Sequence, residues 1–182
     1  MSRDWDDFYP DAKEEIPADA PETRGRSVQI NMFVDADHAG DRITRRSHTG
    51  ILIFLNRAPI TWYSKRQNTV ESSTFGSEHV AKKTGAELIK SMRYKLRMLG
   101  VPMDGPANVF CDNEAVFKNS SIPESVLKKK HLSICYHLVR EAVAAGILRV
   151  AKEDGTTNLS DVLTKIMTGP KKRQLLGYFV YS

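Results

Sequence analysis

The chain has 182 residues, 41% of them apolar and 27% charged, which suits one globular domain with a packed core plus some extra tail. Its formal charge of +5 divides unevenly: residues 1–26 hold four basic and eight acidic groups, net −4, and the remaining 23 basic and 14 acidic groups leave +9. No apolar run approaches the ~20 residues of a membrane span, and the acidic start MSRDWDDFYP lacks the apolar centre of a secretory signal.

Residues 1–26 are rich in Pro, Asp, Glu and Ala without a sustained period, which predicts a linker or extended arm. Alternation starts at Val28. Ile30, Met32 and Val34 share its face, with polar Gln29 and Asn31 between, so a half-buried strand reaches Asp35. A polar turn with Gly40 follows. ILIFL after Gly50 predicts a second strand, Asn56–Arg57 a tight turn, and PITWYS a third strand. Trp62 and Tyr63 fall on opposite faces of that strand, so one of them is core.

The period then changes. Ser72, Ser73 and Thr74 offer capping side chains, and Ala81, Gly85, Leu88, Met92, Leu96 and Leu99 recur at spacings of three and four. This predicts a long helix closed by Gly100 and Pro102. ANVFCD predicts a fourth strand ending at Asp112, with a short helix from about Asn113. Leu127–Ala145 reads as a helix with Ile134, Leu138 and Val143 on its apolar face and Gly146 as its stop. ILRVA is a fifth strand. Asn158–Lys165 opens a last helical segment, and Pro170 precedes a basic tail over 169–182. Three antiparallel strands followed by two that alternate with helices predict an α/β fold. Its core is a mixed five-stranded sheet flanked by helices, over residues 27–168.

Four acids fall at element ends in this reading. Asp35 closes the first strand and Asp112 the fourth, which this topology can place side by side. Glu78 lies in the first turn of the long helix, three residues before Ala81 and on the same stripe. Asp161 begins the last helical segment. Each alone reads as a turn residue or a helix cap. Together, four converging carboxylates repel and raise one another's pKa unless a divalent cation lies among them. Oxygen ligands select Mg²⁺ or Mn²⁺ over zinc, and two such ions suit phosphodiester hydrolysis.

The ordered blocks FVDADHAGD, TRRSHTG, ITWYSKRQNTVESST, CDN, KKHLSICYHLVRE and LSDVLTK resemble the ribonuclease H domain of copia-type LTR retrotransposon Pol polyproteins, over about residues 28–168. The resemblance implies the ribonuclease H fold and hydrolysis of the RNA strand of an RNA–DNA hybrid during reverse transcription. It also implies the reverse transcriptase region of the same polyprotein as a partner, joined through the residues before Val28. It carries the catalytic and metal-binding roles onto Asp35, Glu78, Asp112 and Asp161, with two Mg²⁺ or Mn²⁺ ions, and leaves Asp37 as a turn neighbour. Two departures stand out. STFGSEH replaces a form like STEAEY, so His79 takes an aromatic position, and AKEDGTTNLSD has no histidine before the last acid.

Around the acids, Arg45, Arg46, Lys65 and Arg66 are candidates for gripping phosphates, or hairpin-edge charges that keep the chain soluble. Ser64 and Gln67 are candidates for a 2′-OH or a base edge. Lys128–Lys130 and His131 form a possible substrate rim or a solvated helix start. His131 and His137, six apart, are badly spaced for a shared metal. Cys111 and Cys135 fit a reducing, intracellular compartment, and packing explains Cys111 better than nucleophilic chemistry. The alternatives to a nuclease are a catalytically silent module of the same fold that binds hybrid beside a reverse transcriptase, and a transposase or integrase relative, against which Asp161 and CDN speak.

Overall fold

The computed structural model describes residues 4–127 and 130–180. Strands β1 (Ile30–Asp37), β2 (His48–Leu55) and β3 (Ala58–Arg66) form an antiparallel meander. Helix α1 (Thr74–Met98) leads to β4 (Ala107–Cys111) and α2 (Glu114–Ser121). Helix α3 (Ser133–Ala144), β5 (Leu148–Lys152), a 3₁₀ segment (Leu159–Leu163) and α4 (Gly169–Leu176) complete the chain. The sheet order is β3-β2-β1-β4-β5, with β1–β4 and β4–β5 parallel. This is the mixed five-stranded architecture the sequence pattern implies.

Local chemistry accounts for the joints. Asn56 occupies the left-handed region at φ 56° in the two-residue turn between β2 and β3, a conformation Asn tolerates. Ser73 caps α1 by accepting from the Gly76 N–H at 3.2 Å, and Asn113 caps α2 by accepting from the Val116 N–H at 3.1 Å. Gly100 ends the long helix at φ +67°.

Strand alternation divides the apolar residues between two clusters. Ile30, Met32, Val34, Ile51 and Ile53 pack with Ala81, Ala86 and Ile89 of α1 and Val139 and Ala142 of α3. Leu52 and Phe54, on the other face, pack with Leu159 and Leu175. Tyr63 joins the first cluster and Trp62 is exposed, as the alternation requires.

Three local expectations give way to tertiary packing. Ile134, expected on the inner face of α3, is 77% exposed; the face turned inward carries Tyr136, Val139, Arg140 and Ala142. The stretch expected as a basic tail forms α4, with Pro170 in its first turn, where a missing N–H costs nothing, and Leu175 buried. Residues 4–26, expected as a linker, lie against the helices. Glu14 accepts from Arg93 Nε and Nη2 at 2.7 Å each and from Arg97 Nη2 at 2.5 Å. The Arg140 guanidinium lies 4.8 Å from both the Trp5 and Tyr136 rings, and its Nε donates to the Tyr9 hydroxyl at 3.2 Å.

Candidate active site

The parallel register pairs Phe33 with Phe110. Extended by two residues it sets Asp112, just past the end of β4, beside Asp35 near the end of β1. Glu78 arrives from the start of the second turn of α1, just after the first turn in which the sequence pattern sets it, and the Ser73 cap fixes the helix start. Asp35, Glu78 and Asp112 each bring a carboxylate oxygen within 4.8 Å of the others.

This convergence is electrostatically unfavourable without a cation. Glu78 is 3% exposed and its Oε2 has no hydrogen-bond partner. Burial first, then the charges of Asp35 and Asp112, push its pKa well above the usual carboxylate range. Burial also raises Asp35, against the opposing effects of its bond from Thr164 and the Lys165 charge. A hard divalent cation fits what is missing here: oxygen donors, an unpaired buried carboxylate oxygen and excess negative charge.

Two lysines border the triad, and both were passed over in the sequence. Lys82, one turn after Glu78, is buried against Cys111, with its Nζ 3.4 Å from Ser120 Oγ; burial lowers its pKa. Lys165 stands four residues after Asp161. Burial alone would lower its pKa, but the bond to Asp161 and the charge of Asp35 raise it above the ordinary lysine value. The i, i+4 spacing to an acid is the signal that marks both in the sequence.

Asp161 is buried near Asp35 but does not belong to the group of three; its Oδ1 accepts from Lys165 Nζ at 2.7 Å. The Thr164 hydroxyl donates to Asp35 Oδ2. Asp37 remains at the turn, its carboxylate folded over Gly40. His79 is buried edge-on to Phe75, ring centroids 4.5 Å apart, and so packs as the aromatic it replaces. Burial, with Lys82 adding to the effect, pushes its imidazole down to about 3, so it is neutral at physiological pH.

The other candidates separate by role. Arg46 lines a groove of about 670 Å³ with His48, Arg66, Leu163, Thr164 and Lys165, next to Asp35. Lys65 is exposed, 5.6 Å above the Tyr63 ring, and Arg45 is exposed at φ 58°. Arg66 is paired with Asp41 at 2.5 Å, so its guanidinium is already engaged. Gln67 is corrected as a substrate-side candidate by its burial, whereas Ser64 stays exposed. Gln67 is buried and donates to Thr49 Oγ1 at 3.0 Å and Ser77 O at 2.9 Å, tying β2 to α1. Ser64 donates to Leu163 O at 2.9 Å, tying β3 to the 3₁₀ segment. Lys130 lines a different groove, with Phe8, Tyr9, Tyr136, His137 and Arg140. Lys128, Lys129 and the side chain of His131 lie outside the described residues.

No protein-family model matches the chain. It is 30% identical over 142 residues to the retrovirus-related Pol polyprotein from transposon RE1 of Arabidopsis thaliana, across 78% of this chain and 10% of the polyprotein. It is 35% identical over 144 residues to the retrovirus-related Pol polyprotein from transposon TNT 1-94 of Nicotiana tabacum, 79% of this chain and 11% of that one. The chain therefore spans about a tenth of the length of the curated relatives it matches. Among solved structures, LC11-RNase H1 in complex with an RNA/DNA hybrid aligns with a TM-score of 0.59 at 15% identity, covering 75% of this chain and 94% of that one. At that identity the likeness is one of fold. The chain thus has the ribonuclease H fold and over most of its length is related to a segment of the Pol polyproteins of copia-type retrotransposons.

Proposed function

We propose that the chain is a divalent-metal-dependent endonuclease that hydrolyses the RNA strand of RNA–DNA hybrids, acting beside the reverse transcriptase region of its polyprotein. The observation that carries this reading is the convergence of Asp35, Glu78 and Asp112, with Glu78 Oε2 buried and unpaired. These three would hold Mg²⁺ or Mn²⁺, and the two-ion form would draw on Asp161 as well. A divalent ion there supplies the Lewis acidity that phosphodiester hydrolysis requires.

The protein's own residues do the rest. Thr164 and Lys165 hold Asp35 from the groove side, so the carboxylate that heads the triad is fixed before substrate arrives. Arg46 in the groove, with exposed Lys65 and Arg45, supplies cations for backbone phosphates. Selection of RNA would rest on contacts to its 2′-OH. The stretch from Ala151 to Asp161 carries no histidine, and we assign proton transfer to the leaving oxygen to water.

Incubation of the full chain with a labelled hybrid and Mg²⁺ tests the reading. Wild type should cleave, and Asp112→Asn should lower the rate by on the order of 10²–10³. Hybrid binding with no cleavage, identical in the two proteins, would instead establish a silent binding module.

A further inference from the structure

The fourth acid is matched to a lysine. Asp161 Oδ1 lies 2.7 Å from Lys165 Nζ, and Asp161 Oδ2 lies 3.7 Å from Lys171 Nζ. The same Lys165 nitrogen is 3.4 Å from both oxygens of Asp35. One ammonium therefore bridges the carboxylate that heads the triad and the carboxylate that stands outside it. The two acid side chains are each 2% exposed, whereas that of Lys165 is 38% exposed. The lysine reaches in from the groove, which it lines together with Thr164 and Ile166.

Two buried carboxylates flanked by the Lys165 and Lys171 ammoniums are matched in charge, and removing Lys165, the one that touches both acids, leaves Asp35 without an ion pair. On the other side of Asp35 the situation differs. Glu78 Oε2 has no hydrogen-bond partner, and Asp112 and Glu78 make no ion pair among the described residues. The site is thus divided into a half where ammoniums pair directly with the acids and a half where the nearby buried Lys82 makes no ion pair with them among the described residues.

We propose that Lys165 is a positioning residue whose ammonium holds the cation place between Asp35 and Asp161. One divalent ion then enters directly at Asp35, Glu78 and Asp112, and a second enters only after Lys165 swings out into the groove. The inference rests on the ribonuclease H reading above. A divalent ion beside an ammonium about 4 Å away is repelled strongly enough to weaken its binding tenfold or more. The exposed flank of the lysine provides the route out, and its four-carbon stem gives it the reach.

Titrating Mn²⁺ alone into the full chain, with free Mn²⁺ followed by electron paramagnetic resonance, reads the stoichiometry directly. Wild type should bind one ion per chain in the range where Lys165→Met binds two. Lys165→Arg, which keeps the charge, should return to one. Circular dichroism checks that each variant is folded, and Lys165→Gln replaces the methionine form if that form is not. Two ions in wild type, unchanged in Lys165→Met, overturn the proposal while leaving the nuclease reading in place. One ion in both overturns it equally. No ion bound by any form removes the triad as a metal site, and the proposed function with it.

Discussion

Glu78 and Gln67 show how little a residue type says without its neighbours. Both are polar and buried. Each leaves one buried oxygen without a hydrogen bond, but Gln67 is neutral and spends its amide N–H groups on Thr49 and Ser77, whereas Glu78 sits among like charges. Because burial and the other two acids raise the Glu78 pKa, its contribution to folding in the metal-free protein is fully present below the ordinary value of 4.5. It is lost as pH rises through the higher folded value. Glu78→Gln should therefore stabilise the metal-free protein at neutral pH by about 1–2 kcal/mol. It should also abolish the rise in melting temperature that Mg²⁺ gives to wild type. Thermal unfolding with and without Mg²⁺ checks both, and a variant that responds to Mg²⁺ like wild type would contradict the assignment. The acid positions were legible in the sequence because strand ends and helix starts are local features. Their partners Lys82 and Lys165 were legible only as i, i+4 spacings, which on most helices mark solvated pairs.

At the scale of elements, the site depends on how closely β2 approaches the 3₁₀ segment. A Cβ at Gly50 would fall 2.5 Å from Thr164 Cγ2, 3.0 Å from Leu163 Cβ and 3.0 Å from the Ser160 carbonyl. Gly50 is also the register partner of Asp35. Gly50→Ala should destabilise by about 1–3 kcal/mol and, by pushing Thr164 away from Asp35, lower hybrid cleavage in the protein that remains folded. Urea unfolding alongside the cleavage assay separates the two effects. Helix α3 teaches a different lesson. Counting apolar residues selected the face with Ile134, but the helix turns Tyr136 and Arg140 inward. The Arg140 guanidinium meets the carbonyls of Asn119, Ile122 and Pro123 together with the Trp5 ring. Lysine lacks that planar fork, so Arg140→Lys should cost about 2–4 kcal/mol in chemical denaturation despite keeping the charge. A loss under 0.5 kcal/mol would show that the carbonyl cluster is held by other groups.

At the scale of the molecule, the acidic segment 4–26 meets arginines of the helices, Glu14 with Arg93 and Arg97 and Tyr9 with Arg140. Burial raises the Glu14 pKa, but hydrogen bonds and charge from Arg93 and Arg97 outweigh this and lower it below 4.5. The stabilisation is therefore present above that value and lost as pH falls through the lower folded one. Glu14→Gln leaves the buried Arg93 short of a counter-charge. It should cost about 2 kcal/mol at pH 7, with the gap to wild type closing below pH ~4. Unfolding measured from pH 7 to 3 follows it, and a constant gap would contradict the ion-pair origin. The sequence by itself determined the five strands, the long helix, their order and the four acids near element ends, because periodicity, caps and turn residues act over a few neighbours along the chain. Only the tertiary structure decided that residues 4–26 pack against the helices, that α3 is phased around an arginine, and that Asp161 pairs with a lysine and does not join the triad. Those outcomes depend on distances through space between residues as far apart as Asp35 and Lys165, and no local pattern encodes such a distance.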